Sequence, residues 1–367
     1  SAEGIVPAEK LFTVATSNTG WAYWALQHGS RTNIGTKRFF YLTRDDVRVR
    51  GLEEYARRAL PSVRYAKFYS FGVEDWKALS KSGAPSYFFM CHKAKNEVPR
   101  SVANYIRWGE TECRTGIRGT RGGGKICSKA YTCQEREKTT QRFFGWYDLG
   151  GFKHAPIMAV YQSQYRPRFF WCKENLVTYH AIVTFLPRED FTEEELKATL
   201  AYLNSSFCHL YVEAQGRATA LGLIAFEVAQ AERMPIPDMK ALSKEHVQEL
   251  AGLFDALEEE ARKIGGAHTK SNLDHLEPLF EKIDNKIEEI FNLSENLGKE
   301  AREVASRMMR RRLIRTEQAI PEMLRGEEQA LEMRPPSRKV RVRRDENDTL
   351  AVSLDQWTAP SKTKAET

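Results

Sequence analysis

The sequence has no long apolar run, and this absence argues against a membrane-spanning helix. In the 367-residue chain no apolar stretch approaches the about 18 residues that such a helix needs. We also find no internal repeat. Because no signal peptide is evident, we expect a cytoplasmic protein. A content of 41% hydrophobic and 11% aromatic residues is typical of globular domains.

Cysteines are few, and they lack a compact spacing. The six cysteines include no C-x₂-C pair, so the sequence signal for zinc is weak. Free, buried cysteines in a reduced compartment are the default expectation. A zinc site would have to gather residues that are distant in sequence, namely Cys91, His92, Cys113, Cys127 and Cys133.

Basic residues outnumber acidic ones. The chain has 56 Lys and Arg against 49 Asp and Glu, which gives a net charge of +7 and a pI of about 9.0. This balance suits an anionic partner such as nucleic acid without proving one.

The first basic segment spans residues 31–50. It contains six Lys or Arg residues against two Asp residues. Arg31, Thr32 and Asn33 precede a predicted strand and should lie in a loop. Arg can contact guanine through two hydrogen bonds and Asn can do the same for adenine. We therefore predict a DNA-contacting loop that includes Lys37 and Arg38, with a solvated loop without contacts as the alternative.

The second basic segment spans residues 113–125. Four glycines within six residues alternate here with Arg114, Arg118, Arg121 and Lys125. Such a backbone can approach a phosphodiester closely and offer several N–H donors. We predict a loop that contacts DNA phosphates, with a mobile surface loop as the alternative. Nucleotide binding is disfavoured because Ile126 replaces the Ser or Thr that should hold Mg²⁺.

The pattern of apolar residues predicts a mixed α+β fold. Strands are expected at 39–42, 87–90, 157–161, 181–185 and 223–226, and short helices at 52–60 and 99–108. A capping box of Thr192 and Glu195 predicts a helix that continues to Tyr211. Three further helices should begin after Ser243, after the Gly265-Gly266 break and near residue 294, the last ending in the basic run 310–312.

These patterns predict three segments. A β-rich domain should occupy residues 1–238, a helical subdomain 239–320, and a basic, polar tail 321–367. The tail suits phosphate attraction or disorder.

Several motifs resemble those of adenine-N6 DNA methyltransferases from restriction–modification systems. Leu203-Asn204-Ser205-Ser206, then Glu213 and Met234-Pro235-Ile236-Pro237, are similar to the end of the target-recognition domain in that family. The segment 32–42 is similar to its opening, although it reads Thr-Asn-Ile-Gly where the family more often has Thr-Gly-x-Asn. Trp146-Tyr147-Asp148-Leu149 and Asn175 also fit, and the resemblance covers roughly residues 20–295.

The resemblance implies a module that recognises double-stranded DNA beside a methyltransferase catalytic domain or subunit. The family's catalytic tetrad, Asn/Asp-Pro-Pro-Tyr/Phe, and its Phe-x-Gly-x-Gly loop for S-adenosylmethionine do not occur in this sequence. We therefore expect no catalysis by this chain, with S-adenosylmethionine used by the catalytic partner or domain. The alternatives are a separate specificity subunit, an RNA-binding or structural protein, and an autonomous enzyme such as a nuclease.

Overall fold

The computed structural model describes residues 4–116, 124–178 and 181–332, and of Ala220 and residues 316–332 it describes only the backbone. Within these ranges the chain forms a mixed α+β fold, as predicted. All described strands lie before Asp238, and three long helices follow. The predicted boundaries at 238 and 320 stay predictions.

Most of the strands are short. In chain order they are β1 Ile5–Pro7, β2 Phe12–Ala15, β3 Tyr41–Leu42, β4 Ala56–Leu60, β5 Ser70–Phe71, β6 Tyr87–Phe89, β7 Ile157–Val160, β8 Gln162–Ser163, β9 Phe169–Cys172, β10 Val177–Thr178, β11 Ile182–Pro187, β12 Arg217–Ala218, β13 Ile224–Ala225 and β14 Pro235–Pro237.

The helices range from one turn to ten turns. They are α1 Ala8–Leu11, α2 Gly20–Gln27, α3 Lys37–Phe40, α4 Arg44–Arg50, α5 Val73–Lys81, α6 Arg100–Thr111, α7 Tyr131–Lys138, α8 Glu193–Leu203, α9 Ser206–Gln215, α10 Val228–Arg233, α11 Lys244–Lys263, α12 Lys270–Ile290 and α13 Leu297–Glu332. Short 3₁₀ turns occur at Glu53–Tyr55, Val63–Tyr65, Cys127–Lys129, Ala220–Gly222 and Met239–Ala241.

The central layer is a five-stranded sheet in the order β2-β11-β7-β9-β5. β11 pairs antiparallel with both β2 and β7, so β2 and β7 run in the same direction and end at the same edge of the sheet. A four-stranded sheet has the order β10-β4-β6-β3. The remaining strands form the small sheets β12-β13-β8 and β1-β14.

Two large hydrophobic cores support these layers. The first joins the central sheet to α8, α11 and α12, and it includes Phe185, Leu200, Leu250 and Phe280. Strands and long helices therefore share one core across residue 238. The second core surrounds the fully buried indole of Trp21 and takes in residues of α3, β6, α6 and α7. The two segments predicted to contact DNA are anchored in this second core, through Ile34 in the first and Cys113 in the second.

Helix starts are the elements that the sequence predicted best. Thr192 and Glu195 form the capping box: the Glu195 amide donates to Thr192 Oγ1 at 3.2 Å, and the Thr192 amide donates to Glu195 Oε2 at 2.7 Å. Ser243 Oγ accepts from the His246 amide at 3.2 Å and caps α11. Pro99 directly precedes α6. The starts at Thr192 and Ser243 are confirmed because caps depend on neighbouring residues only. Pro99, predicted in the first turn of its helix, lies one residue before it and makes no side-chain cap.

Three predicted elements are wrong. The helix expected through Tyr211 is two helices, because α8 ends at Leu203 and Ser205 caps α9. The helix expected at 52–60 is a 3₁₀ turn followed by β4, which gains strand partners from distant parts of the chain. Phe39 and Phe40, expected in a strand, end α3.

The last helix is longer than expected. α13 continues past the basic run 310–312, where the prediction ended it, to Glu332. The rest of the predicted tail, residues 333–367, lies outside the described residues. Among the helices that the structure describes, none is long and apolar enough to span a membrane.

Candidate nucleic-acid interface

The backbone of the loop between α2 and α3 is held by hydrogen bonds from a buried tryptophan. The indole Nε1 of Trp21 donates to the carbonyl oxygens of Arg31 and Asn33, both at 3.1 Å. Thr32 Oγ1 lies 2.7 Å from Thr16 Oγ1, just beyond the end of β2. The predicted contact residues therefore lie on a loop whose backbone is fixed by the fold, as a rigid recognition loop requires.

The Asn33 amide is only partly available to a ligand. Its Oδ1 accepts hydrogen bonds from the Gly35 amide at 3.1 Å and from Thr132 Oγ1 at 2.7 Å. Its Nδ2 has no hydrogen-bond partner among the described residues. A contact to adenine through both amide groups would need Oδ1 as well, so this geometry leaves a single donor for a base edge.

Arg31 lies over an aromatic ring that sequence reasoning missed. Its guanidinium carbon is 4.5 Å from the centroid of the Tyr131 ring. Tyr131 is 59% exposed, although aromatic rings of this size usually pack inside. The only sequence signal is that Tyr131 closely follows the basic, glycine-rich segment. Stacking restricts the Arg31 guanidinium in a solvent-facing position.

The first predicted DNA-contacting segment packs on α7, the helix that follows the second segment. Gly35 has a φ of +95°, and a Cβ at this position would lie 2.6 Å from Cys133 Sγ in α7. Arg136 Nη2, also in α7, donates to the carbonyl oxygen of Ile34 at 2.7 Å. The loop around Arg31 thus packs directly on α7, and α7 begins six residues after Lys125.

The second segment begins and ends in a narrow antiparallel stem. The Thr115 amide donates to the carbonyl oxygen of Lys125 at 2.7 Å, and the Gly124 amide donates to that of Thr115 at 3.1 Å. Arg114 Nη1 donates to the carbonyl oxygen of Gly124 at 2.9 Å. Arg114 and Lys125 are both exposed. Residues 117–123, with the predicted contacts Arg118 and Arg121, lie outside the described residues.

The base of the stem corrects the prediction for the cysteines. Cys113 and Cys127 form a disulfide, with their Cα atoms 5.4 Å apart. The expectation of a free thiol is therefore wrong for these two residues, which are not available as zinc ligands in this form. It is confirmed for Cys91, Cys133, Cys172 and Cys208, which are free and buried. Burial raises the pKa of the Cys91 thiol to about 11.

Lys37 and Arg38 differ in exposure. Both lie in the single turn of α3, whose Phe39 and Phe40 side chains are fully buried. Arg38 is exposed, whereas Lys37 is half-buried. The phenylalanines anchor the turn in the second core, and Arg38 is left facing solvent.

A buried arginine that the sequence did not reveal joins these parts. Arg136 is fully buried, and its Nε donates to the carbonyl oxygen of Trp146 at 2.9 Å. Its guanidinium also lies 5.1 Å from the Trp21 ring centroid. Burial lowers the pKa of Arg136. Together with its bond to Ile34, these contacts make Arg136 a structural centre of the interface, with no access to a ligand.

The Trp146–Leu149 motif holds a second exposed aromatic group in place. Asp148 is fully buried, and its Oδ2 accepts from His92 Nδ1 at 2.7 Å and from the Phe144 amide at 2.9 Å. The Phe144 ring is 51% exposed and contacts the His92 ring edge to face, with centroids 5.1 Å apart. Asp148 thus orients a half-exposed histidine beside an exposed aromatic ring.

One group of side chains elsewhere has the spacing of metal ligands. Ligand atoms of His246, Glu249 and Glu289 lie within 4.8 Å of one another. The Lys286 ammonium is 3.2 Å from Glu249 and 2.6 Å from Glu289. This lysine accounts for the clustered carboxylates through ordinary ion pairs.

Comparison with known proteins decides the family. The family described as the C-terminal domain of the type II methyltransferase M.Eco57I matches residues 26–265, about two thirds of the chain. The chain belongs to this family. The resemblance to the C-terminal part of a restriction–modification methyltransferase is thereby confirmed. The match contains the interface from the Arg31 loop to Asp148, whereas Thr16 and Trp21, which hold that loop, lie before its first residue.

Other comparisons add less. Among solved structures, the type IIG restriction endonuclease BpuSI is similar with a TM-score of 0.45 and 10% identity over 84% of this chain. The present chain spans 31% of the length of that enzyme. A search of curated proteins finds no match.

Proposed function

We propose that this chain is the sequence-specific recognition module for duplex DNA of a restriction–modification methyltransferase. The observation that carries the proposal is the convergence of the Arg31 loop and the stem of the glycine-rich loop on α7. Thr36 Oγ1, in the first segment, lies 3.4 Å from Cys127 Sγ at the base of the stem, and Arg31 lies over exposed Tyr131 at the start of α7. Family membership supports the same conclusion.

The charges of this surface favour a polyanion. Arg31, Arg38, Arg114 and Lys125 are exposed, and none forms an ion pair with a carboxylate within the part of the chain that the structure describes. Cations that no carboxylate neutralises are available to phosphates, and each phosphate contact releases condensed counterions from DNA. We assign Lys37, Arg38, Arg114, Arg118, Arg121 and Lys125 to phosphate contact.

Base reading is assigned to the loop above Trp21. Arg31, stacked on Tyr131, can present its guanidinium to guanine, while Asn33 Nδ2 can donate one hydrogen bond. Thr32 lies between them, with its hydroxyl directed to Thr16. Since the backbone of this loop is fixed, the DNA must fit the loop, as sequence discrimination requires.

Catalysis belongs to another domain or subunit in this proposal. That partner would use S-adenosylmethionine and rotate the target adenine out of the duplex, because a methyl group cannot be transferred to a stacked base. The recognition module would set the register between that site and the DNA sequence.

The first experiment selects ligands of the purified chain from random duplex DNA. The proposal predicts an enriched short motif, and affinity for it should fall with salt at a slope of about −0.9 per phosphate contacted. If DNA is retained but no motif is enriched, the surface binds phosphates without sequence preference. Absence of binding at low salt would refute the proposal.

A charge-matched pair of variants sharpens this test. Arg38→Gln with Lys125→Gln removes two unpaired cations, whereas Lys263→Gln with Lys270→Gln removes two cations that are paired with carboxylates. We expect the first pair to reduce the salt slope by about 2 and the second to leave it unchanged. Equal effects would mean that net charge alone drives binding. RNA duplexes that compete as well as DNA would favour an RNA-binding protein.

A further inference from the structure

The last helix is fixed in rotation by one buried arginine. Arg312 is 9% exposed, and its Nη2 lies 2.6 Å from Glu213 Oε1 in α9. Its Nη1 donates to the carbonyl oxygen of Gln164 at 3.2 Å and also to that of Gly222. A guanidinium with this many buried acceptors cannot turn outward without leaving Glu213 as an unpaired buried charge.

This anchoring places a row of arginines on the outer face of α13. At 3.6 residues per turn, Arg307, Arg310 and Arg311 lie about 100° to 160° around the helix from Arg312, and Arg315 lies about 60° from it. All three are exposed, as is Arg315 one turn further on. Within the described part of the chain none of these four forms an ion pair with a carboxylate. Four arginines within nine residues occupy about 12 Å of helix.

On the neighbouring helices α11 and α12, several lysines form ion pairs with carboxylates. In α11 and α12, Lys263 is 2.9 Å from Glu259, Lys270 is 2.6 Å from Asp274, and Lys286 pairs with two carboxylates. Lys244 and Lys282 are exposed and, among the described residues, unpaired on these helices, but they are isolated in sequence, whereas the unpaired arginines of α13 lie within nine residues of one another.

The position of α13 relative to the recognition loop indicates which ligand the arginine row would bind. β2 ends at Ala15, one residue before Thr16, which contacts the recognition loop through Thr32. β7 ends at the same edge of the sheet, and the chain continues through β8 to Gln164, the acceptor of Arg312. β2 and β7 are separated by one strand, or about 10 Å. The anchor of α13 and the recognition loop therefore lie at one edge of the central sheet.

We propose that Arg307, Arg310, Arg311 and Arg315 form a second phosphate-binding surface, which holds DNA that flanks the recognition sequence. The inference rests on the proposed function, but it concerns a helix beyond the matched family segment, which ends at residue 265. Guanidinium groups spaced along a helix suit the phosphates of one duplex strand. These contacts add affinity without sequence preference.

The test replaces all four arginines by glutamine in the full chain. Glutamine keeps helix propensity, so loss of charge is the main change. With a duplex that carries the selected motif and flanks, we expect the salt slope to become shallower by about 2 to 4. We also expect at least tenfold weaker binding at low salt, with the same selected motif. Hydroxyl-radical footprinting should show that protection of one flank is lost while protection of the motif remains.

The matched control removes four exposed lysines from α11 and α12: Lys244→Gln, Lys263→Gln, Lys270→Gln and Lys282→Gln. It should keep the parent's salt slope and footprint. An unchanged slope and footprint for the α13 variant, with DNA binding by the parent intact, would refute this inference alone and direct attention to an acidic protein partner. If the parent itself binds no DNA, the proposed function fails and the inference fails with it. The double variant Arg311→Gln with Arg315→Gln, which should lose about half of the effect, guards against misfolding of the fourfold variant.

Discussion

The recognition surface and the α11–α12 hairpin are both rich in lysine and arginine, but they differ in how many of these cations carboxylates pair. In the hairpin, Lys263 and Lys270 lie within 3 Å of carboxylates one helical turn away. On the recognition surface, the exposed Arg31 and Lys125 have no such partner within the described residues. A net charge of +7 therefore says less about DNA than the location of the cations that carboxylates do not neutralise.

The largest effect is expected from replacing Arg136, a buried cation beneath the recognition surface that no ligand can contact. Arg136→Met removes the donor to the carbonyl oxygens of Ile34 and Trp146, and it leaves the Ile34 oxygen with only the Cys133 thiol, 3.8 Å away. We expect a loss of about 3 kcal/mol in the free energy of unfolding, measured with urea, together with loss of DNA binding. The exposed Arg142→Met is the control and should change stability by less than about 0.5 kcal/mol. Equal losses would mean that Arg136 does not organise the loop.

A second prediction concerns the buried pair that anchors α13. Beside Glu213 and Arg312 lies His209, and burial lowers the pKa of this histidine to about 4. Between pH 6.5 and 4 the unfolded chain therefore binds a proton that the folded chain does not, so stability should fall as the pH falls. Burial alone would raise the pKa of Glu213, but its neighbours His209 and Arg312 hold it below the ordinary value, which extends the loss to lower pH.

At pH 4, protonation of this histidine in the unfolded chain should lower the free energy of unfolding by about 2 to 3 kcal/mol. Urea unfolding of His209→Gln between pH 4 and 7 should show a shallower dependence on pH than the parent. His28→Gln, a change at an exposed position, should keep the parent's dependence. A His209 variant with the full dependence of the parent would assign the acid sensitivity to other groups.

A third prediction separates the two roles of Asn33. Asn33→Asp keeps an oxygen for Gly35 and Thr132 but replaces the free Nδ2 donor by a second oxygen. We expect a folded protein that loses about 1–3 kcal/mol of discrimination at one base pair. Arg31→Ala should relax a different position by a similar amount. Quantitative binding to a panel of single-substituted duplexes would measure both. Uniform weakening on every duplex would reassign the residue to phosphate contact.

The smallest effect is expected in the hairpin. The ammonium of Lys270 lies 2.6 Å from Asp274, and both side chains are more than 60% exposed. Lys270→Gln should cost about 0.3–0.5 kcal/mol of stability and leave DNA affinity unchanged. A clear loss of DNA affinity in this variant would show that paired cations also contribute to DNA binding.

The family motifs turn out to be structural parts of the fold. Asn204 donates through Nδ2 to the carbonyl oxygen of Phe169 at 2.9 Å and accepts from the Phe169 amide at 3.1 Å. Ser205 caps α9, and Glu213 receives Arg312. These contacts explain why the predicted single helix is divided at 204–205: the Asn204 side chain binds a strand instead of continuing the helix. No local pattern contains that information.

The sequence by itself determined the features that depend on neighbouring residues. Caps at Thr192 and Ser243, the break after α11 and the basic, glycine-rich composition of residues 113–125 follow from side-chain chemistry at short range. Tertiary structure alone decided that Arg31 lies on Tyr131, that Arg136 is buried, and that Arg312 turns inward while its neighbours face solvent. These outcomes depend on partners that are distant in the chain, and a guanidinium has the same sequence signature whether it is buried, paired or free.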